Sequence, residues 1–434
     1  MRGIIIYIAL FLCCMNVQAQ EVLALKQAII EGLQNNYSII IQKNEAKKAG
    51  NNYTLGNAGM LPTLDATLIQ NNTITDTRQE YATGSVVDRT GATSNSLAAS
   101  ADLNWTIFDG FSMFVAHKRL KEFMNAGELN SRITIENAVQ QIVEAYYDIV
   151  KQQALLQVLD SSRKISDIKL NIAKTKFEIG SASKLPYLQA QVDRNADESA
   201  YKRQQVIISQ AKINLNQLMG RKVDADFITS DSISTKENFQ LDQALSSASS
   251  VSAALLFAKS DLNIARLTVQ EWKGQRLPFI DLNAGYDFTR SSSEAGLVQE
   301  NRSNGLRYGF TVRWNLFNGF NLGRNIKNAK LDYNSAEVRL NEIKASVDAQ
   351  VRVAWLQLQN NMEIVNLERQ NAALAKENID LSINRFRVGL TDELQFKEAQ
   401  QSYVEALSRL VNSQYEAFLA ETTLKRLTGL LIMQ

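Results

Sequence analysis

The octapeptide NWTIFDGF at positions 104–111 returns as RWNLFNGF at positions 313–320. Trp105 and Trp314 stand 209 residues apart, as do Gly110 and Gly319. The same offset carries Tyr146 onto Trp355, Phe177 and Gly180 onto Phe386 and Gly389, Leu185 onto Leu394, Gln191 onto Gln400, and Gly220 onto Gly429. Upstream the offset is 216, pairing Leu25 with Leu241, Ala28 with Ala244, and Leu61-Pro62 with Leu277-Pro278, so the first half holds seven extra residues between its proline and its tryptophan. Insertions are tolerated at loop tips and not inside packed elements, which places a loop there. A repeat of about 200 residues is far longer than a solenoid unit. The chain is therefore a duplicated half, and whatever one half builds is built twice.

Each half contains a hairpin pattern. After Pro278, Ile280, Leu282, Ala284, Tyr286 and Phe288 alternate with Asp281, Asn283, Gly285, Asp287 and Thr289; beyond a polar loop, Leu306, Tyr308, Phe310, Val312, Trp314 and Leu316 alternate with Arg307, Gly309, Thr311, Arg313 and Asn315. Period-two alternation gives two strands with one apolar and one polar face. The first half repeats this more weakly, with Leu64, Ala66 and Leu68, then Leu97, Ala99, Ala101, Leu103, Trp105 and Ile107. Strands of about ten residues with aromatics near one end fit an outer-membrane barrel. A half-buried sheet on a soluble core is the bland alternative for any single hairpin.

Long helices follow the hairpins. Residues 111–178 contain no proline, and Gly127 is the only glycine between Gly110 and Gly180; one helix there would extend about 100 Å. Ile135, Val139, Ile142, Tyr146 and Ile149 recur at steps of four and three, and Val143, Tyr147, Val150 and Ala154 form an adjacent seam. Two seams let one helix pack against a neighbour on each side, as in a coiled-coil assembly. In the second half Val347, Val351, Ala354, Leu358, Met362 and Val365 keep a similar spacing. Gly180 and Gly389 stop these helices, and shorter return helices are expected over about 183–219 and 392–428. A further helix over 36–58 has about the length needed to complete the return column. The prolines Pro62, Pro186 and Pro278 all fall where elements turn or start, as helix interiors require.

Charge is balanced, with 47 Lys and Arg against 45 Asp and Glu, and no basic stripe of the kind nucleic acid needs is present. Residues 1–19 read as a secretory signal peptide: Arg2, a short apolar run, then Ala19. Both cysteines, Cys13 and Cys14, fall inside it. A lipid anchor on one of them is the rival reading, although Leu12 is bulky where lipidation wants a small residue. No mature segment approaches 18 apolar residues. Four strands cannot close a barrel, because a membrane sheet leaves no open edge, so several chains must share one; periodicity does not distinguish a dimer from a trimer.

With these features the chain resembles the TolC-like outer membrane efflux protein family, on the duplicated hairpin-plus-helix plan, the stretches WTIFDGF and WNLFNGF, and the tips FEIGSASKLPYLQAQ and FRVGLTDELQFKEAQ. The resemblance implies a mainly α chain with membrane β: a homotrimer sharing a 12-stranded outer-membrane β-barrel, continuous with a periplasmic α-helical barrel. The implied organisation is a first repeat over 20–220 (hairpin about 62–108, long helix about 111–178, return helix about 183–219), an equatorial linker over 221–240, and a second repeat over 241–434 (hairpin about 278–317, long helix about 320–387, return helix about 392–428). The implied function is a passive exit duct of a tripartite efflux or type I secretion system. Its implied partners are a periplasmic adaptor, an inner-membrane RND or ABC transporter and outer-membrane lipid, with no cofactor.

The resemblance also implies roles residue by residue. Ile179, Gly180, Val388, Gly389 and Leu390 stand at the periplasmic tips that meet the adaptor. Phe386 replaces an aromatic that often bears a hydroxyl; Thr391, Pro186 and Gln395 stand where charged or acidic entrance residues are found elsewhere, and Glu398 alone keeps a carboxylate. The usual polar lock is largely missing, which leaves Asp392 and Glu393 as candidates for the gate. Trp105 and Trp314 are expected at the membrane interface, where indole prefers headgroup depth, with Tyr308, Phe310 and Val312 facing lipid. His117, the only histidine, reads as an ordinary packing residue, and no P-loop, dinucleotide motif or nucleophile elbow points to an enzyme. The competing class is a periplasmic coiled-coil structural or adaptor protein without a barrel.

Overall fold

The computed structural model describes residues 21–235, 239–295 and 298–431; the expected signal peptide, with Cys13 and Cys14, lies outside the described residues. The chain divides into two compact units, one of Met1–Asn44, Asn130–Leu256 and Glu342–Gln434, the other of Glu45–Leu129 and Phe257–Asn341. Both draw on each half of the sequence.

The second unit holds a four-stranded antiparallel sheet of β2 (Thr63–Glu80), β3 (Val86–Phe108), β5 (Phe279–Ser293) and β6 (Glu300–Arg313), in the order β2-β3-β5-β6. The pairing register puts Ala101, Tyr286 and Leu306 in one row and Asp102, Gly285 and Arg307 in the next, so one face is apolar and the other polar. The strands run 18, 23, 15 and 14 residues, longer than the ten expected. Beyond the apolar rows, Asn71, Asn72 and Thr73 go on pairing with Ser96, Asn95 and Ser94: Thr, Ser and Asn ladders extend a strand without any apolar signal. On the polar face Arg307 donates to Asp287 Oδ2 at 2.7 Å and also reaches Asp102 two strands away. Gly285 makes this possible, since a Cβ there would lie 2.7 Å from Asp102 Oδ1 and 3.1 Å from the guanidinium.

Two helices, α3 (Ser112–Glu178) and α7 (Asn321–Arg387), each 67 residues long, supply the packing seams of the first unit from Asn130 and Glu342 onward. Val139, Ile142, Tyr146 and Ile149 are buried, as are Val347, Val351, Ala354, Leu358 and Val365, whereas Met362 is exposed. Leu23 of β1 (Glu21–Leu23), Ala28 of α1 (Leu25–Asn35), Leu215 and Met219 of α4 (Lys184–Met219) and Phe227 of β4 (Phe227–Thr229) complete the core around Tyr146. β1 and β4 pair in parallel. Gly32 leaves space for Ile142, whose Cδ1 would lie 2.2 Å from an added Cβ.

The helix expected over 36–58 is instead α2 (Tyr37–Asn52), set off from α1 by Asn36. The Asn36 amide donates to the Leu218 carbonyl at 2.7 Å while its oxygen accepts the Ile39 N–H at 3.1 Å, an N-cap that outcompetes helix continuation. Downstream, Asn57 donates to the Asn52 carbonyl at 2.8 Å, closing the C-terminus early. The second half opens with α5 (Leu241–Val251) and α6 (Ala253–Gly274), and its return helix is α8 (Glu393–Leu427). Among the described residues no helix is long and apolar enough to cross a membrane.

Candidate functional site

Two helix–turn–helix tips, α3 to α4 and α7 to α8, share one construction in the first unit. Gly180 (φ +75°) donates to the Phe177 carbonyl and Ser181 to the Lys176 carbonyl; Gly389 (φ +81°) donates to Phe386 and Leu390 to Arg385. These paired bonds form the Schellman turn, which needs a left-handed residue after the helix. Open space surrounds both glycines, so backbone conformation alone requires them. Ile179, Val388 and Leu390 stand exposed beside them, as do Leu185 and Leu394 on the return helices. Asp392 caps α8, its carboxylate accepting the Gln395 N–H at 2.8 Å.

Behind the tips a polar cluster joins the two hairpins. Lys169 of α3 is only 1% exposed, with Nζ 2.8 Å from Asp193 Oδ2 on α4 and 3.0 Å from Glu393 Oε1 on α8. Gln189 and Lys397 also reach Asp193, at 3.1 and 3.3 Å. Burial alone would raise the Asp193 pKa, but the Lys169 hydrogen bond and charge, with Gln189 and Lys397, outweigh it and hold the carboxyl below its ordinary value. Deeper in, the Gln400 amide donates to Ser166 Oγ at 2.9 Å and Asp197 Oδ2 at 3.2 Å. The two carboxylates compensate the buried charge, which would be strongly destabilising if left unpaired.

Of the expected gate residues, the structure brings Phe386 and Glu393 into this cluster. Phe386 is buried against Phe396 with ring centroids 4.9 Å apart, and its carbonyl accepts from Lys176 Nζ at 2.9 Å; within one chain the ring is a packing anchor. Asp392 is engaged as a cap. Among the described residues, no side-chain hydrogen bond or ion pair ties Thr391, Gln395, Glu398 or Pro186 to the cluster. Sequence reading missed Lys169, Asp193, Gln400, Ser166 and Asp197. A signal for the first was present: Ser162, Ser166, Lys169, Ala173 and Lys176 step by four and three, the spacing of an apolar seam with polar residues in it.

The second unit holds the repeated octapeptide. Trp105 Nε1 donates to the Met60 carbonyl and Trp314 Nε1 to the Arg276 carbonyl, both at 3.0 Å, each bond reaching the residue two before a proline. After each tryptophan comes a left-handed pair, Gly110 (φ +71°) with Phe111 (φ +68°), and Gly319 (φ +65°) with Phe320 (φ +64°). Phe108 meets Phe111 edge-on at 5.1 Å, and Phe317 meets Phe320 at 5.2 Å. Burial raises the Asp109 pKa despite N–H bonds from Met113 and Ser112 that pull the other way. Glu271 of α6 is likewise raised, by burial first, although Arg119 lies 2.8 Å away. His117 packs on Tyr53 with centroids 4.6 Å apart.

Comparison with known proteins gives consistent matches. A family model for "Outer membrane efflux protein" matches residues 28–221 and 240–430. The outer membrane efflux protein BepC of Brucella suis biovar 1 is 22% identical over 327 residues, covering 75% of this chain and 71% of its own; the outer membrane protein TolC of Escherichia coli is 19% identical over 360 residues, covering 79% and 71%. Among solved structures, the outer membrane protein VceC of Vibrio cholerae aligns with a TM-score of 0.76 at 18% identity, over 93% of this chain and 96% of that one. The CmeC outer membrane channel of Campylobacter jejuni aligns with a TM-score of 0.77 at 15% identity, over 93% and 85%.

Proposed function

This chain belongs to the outer membrane efflux protein family, and we propose that three copies join their sheets into one twelve-stranded barrel that serves as the outer-membrane exit of a tripartite efflux or type I secretion system. The observation that carries this is the four-stranded sheet with β2 and β6 at its edges. Its apolar rows suit lipid on one face and its Arg307–Asp287–Asp102 bridges suit water on the other. Edges left unpaired in hydrocarbon are prohibitively costly, so β2 of one copy must meet β6 of the next. The helices then form a periplasmic duct. Its tips offer Ile179, Val388 and Leu390 to a periplasmic adaptor, which links them to an inner-membrane pump of the RND or ABC class.

Introduced cysteines test the closure, because Cys13 and Cys14 are the only native ones. With one cysteine in β2 and one in β6, oxidation of cells should give a ladder that ends at three linked chains in the outer-membrane fraction. A ladder ending elsewhere, or an uncrosslinked soluble chain, overturns the assembly.

A further inference from the structure

We propose that Phe111 and Phe320 are lipid anchors, which seat the two strand-to-helix junctions at the headgroup–acyl boundary of a phospholipid leaflet. The inference rests on the reading of the sheet's apolar face as lipid-facing. Its starting point is a cost incurred twice: both phenylalanines take a left-handed conformation, φ +68° and +64°, which is unfavourable for any residue with a Cβ and rare for bulky ones. Glycine would remove that strain. The two turns differ in their neighbours, with Asp109 in one and Asn318 in the other, yet both carry phenylalanine.

Within the chain the rings gain little to offset this. Phe111 is 58% exposed and Phe320 81%, and each is braced by the edge-on phenylalanine three residues earlier. The brace fixes where the rings go. Phe108 pairs with Ile280, which pairs with Val312, so it stands in a row of the apolar face, and Phe111 prolongs that face past the end of β3. Leu316 and Phe317 add exposed apolar surface before Phe320.

For Phe111 the same geometry selects lipid over a neighbouring copy, while Phe320 follows the edge strand β6 and takes the role as the repeat counterpart of Phe111. β3 is an inner strand of the sheet, away from the β2 and β6 edges where another chain would pair. The tryptophans are also less suited to the anchoring role than their residue type implies, because both indole N–H groups are already taken by the Met60 and Arg276 carbonyls. They clamp the chain entering each hairpin, and the phenylalanines occupy the interface.

The test is position-resolved quenching. Single cysteines, Phe111→Cys and Phe320→Cys in a chain whose Cys13 and Cys14 are replaced by alanine, are labelled with bimane. The assembled protein is then reconstituted in phosphatidylethanolamine–phosphatidylglycerol vesicles that carry a nitroxide either near the headgroup or deep in the acyl chain. The shallow nitroxide should quench both sites about twofold or more over the deep one, with little quenching by aqueous iodide. Quenching by iodide alone means the rings face water, and protection from all three quenchers means a neighbouring chain covers them; either result overturns the anchor. Phe310→Cys, read alongside, should be quenched by the deep nitroxide. Failure there removes the barrel reading, whereas failure at 111 and 320 alone removes only the anchors. Phe111→Trp and Phe320→Trp, read by tryptophan fluorescence against the same lipids, replace any cysteine variant that does not assemble.

Discussion

Tyr146 and Trp355 make one bond in two chemistries: the Tyr146 hydroxyl donates to the Leu23 carbonyl, the Trp355 indole to the Phe239 carbonyl, both at 2.9 Å. The donors differ in position by 209 residues and the acceptors by 216, so the two sequence offsets meet in a single structural equivalence. Each bond pins the strand-like lead-in to a short helix onto the middle of a long one.

Removing either donor leaves a carbonyl short of a partner. Trp355→Phe should cost about 1–3 kcal/mol, and Tyr146→Phe at least as much, because the single Tyr146 proton is shared between the Leu23 carbonyl and Asp231. Thermal unfolding of the detergent-solubilised protein measures both. Unchanged transitions would mean that water replaces the donor.

The two faces of the sheet should respond differently to substitution. Phe310→Arg on the apolar face should cost about 2–4 kcal/mol if the side chain lies near the bilayer midplane and less toward the interface, while Arg307→Gln should be mild for insertion. Gly285→Ala should loosen the Arg307–Asp102 bridge, since the added Cβ occupies the path of the guanidinium. Heat-modifiability on gels reports assembly for all three. Equal tolerance at positions 307 and 310 would refute the register, because a one-residue slip exchanges the faces.

The duplication made much of this fold legible in advance. Alternation in β5 and β6, the 4–3 seams of α3 and α7, and the glycine stops at 180 and 389 all come from local periodicity or backbone chemistry, which a linear sequence displays. Strand length was not legible, because Ser, Thr and Asn pair in β2 and β3 without any apolar mark. Nor was the break at Asn36, which depends on a carbonyl 182 residues away. The Lys169 cluster eluded reading for the same reason: a lysine looks solvated until Asp193 and Glu393 are placed around it.

Asp109 and its counterpart Asn318 offer a test of sign. The Asp109 pKa is raised from 3.8, chiefly by burial. Between 3.8 and the raised value the folded state therefore binds more protons than the unfolded one, and stability falls as pH rises through that window. Asp109→Asn, which copies the second repeat, should remove this slope and stabilise the protein above the window. A melting-temperature series against pH decides it, and a loss of stability at neutral pH would show that the carboxylate cap outweighs its desolvation.

The Lys169 cluster should show the opposite slope. Asp193 is held below 3.8 by Lys169 and its neighbours, so its contribution is fully present above pH 3.8 and disappears as pH falls through the lower folded value. Lys169→Met leaves Glu393 without its cation and Asp193 with Lys397 alone at 3.3 Å, and should cost about 3–5 kcal/mol; it should also flatten the acid limb. Pairing Lys169→Met with Asp193→Leu should recover part of the loss, since an apolar replacement of a whole buried pair is often tolerated. If the double variant is no better than the single one, the cluster is not acting as a coupled pair.

The tips should separate transport from assembly. At Gly389 nothing lies within 4 Å of an added Cβ, but φ is +81°, so Gly389→Val introduces backbone strain without steric overlap, about 1–2 kcal/mol from the left-handed conformation alone and more for a β-branched side chain. The turn should reshape and move Val388 and Leu390, and efflux should be lost. The heat-modifiable oligomer should persist, because α7 places 67 residues of helix between the turn and the strand segment. Glu398 is exposed. If it lines the entrance, three copies form one carboxylate ring, and Glu398→Gln should reduce cation preference and block by multivalent cations in planar-bilayer recordings. Unchanged selectivity would assign Glu398 to the solvated outer surface, and normal efflux with Gly389→Val would remove the tip from the transport mechanism.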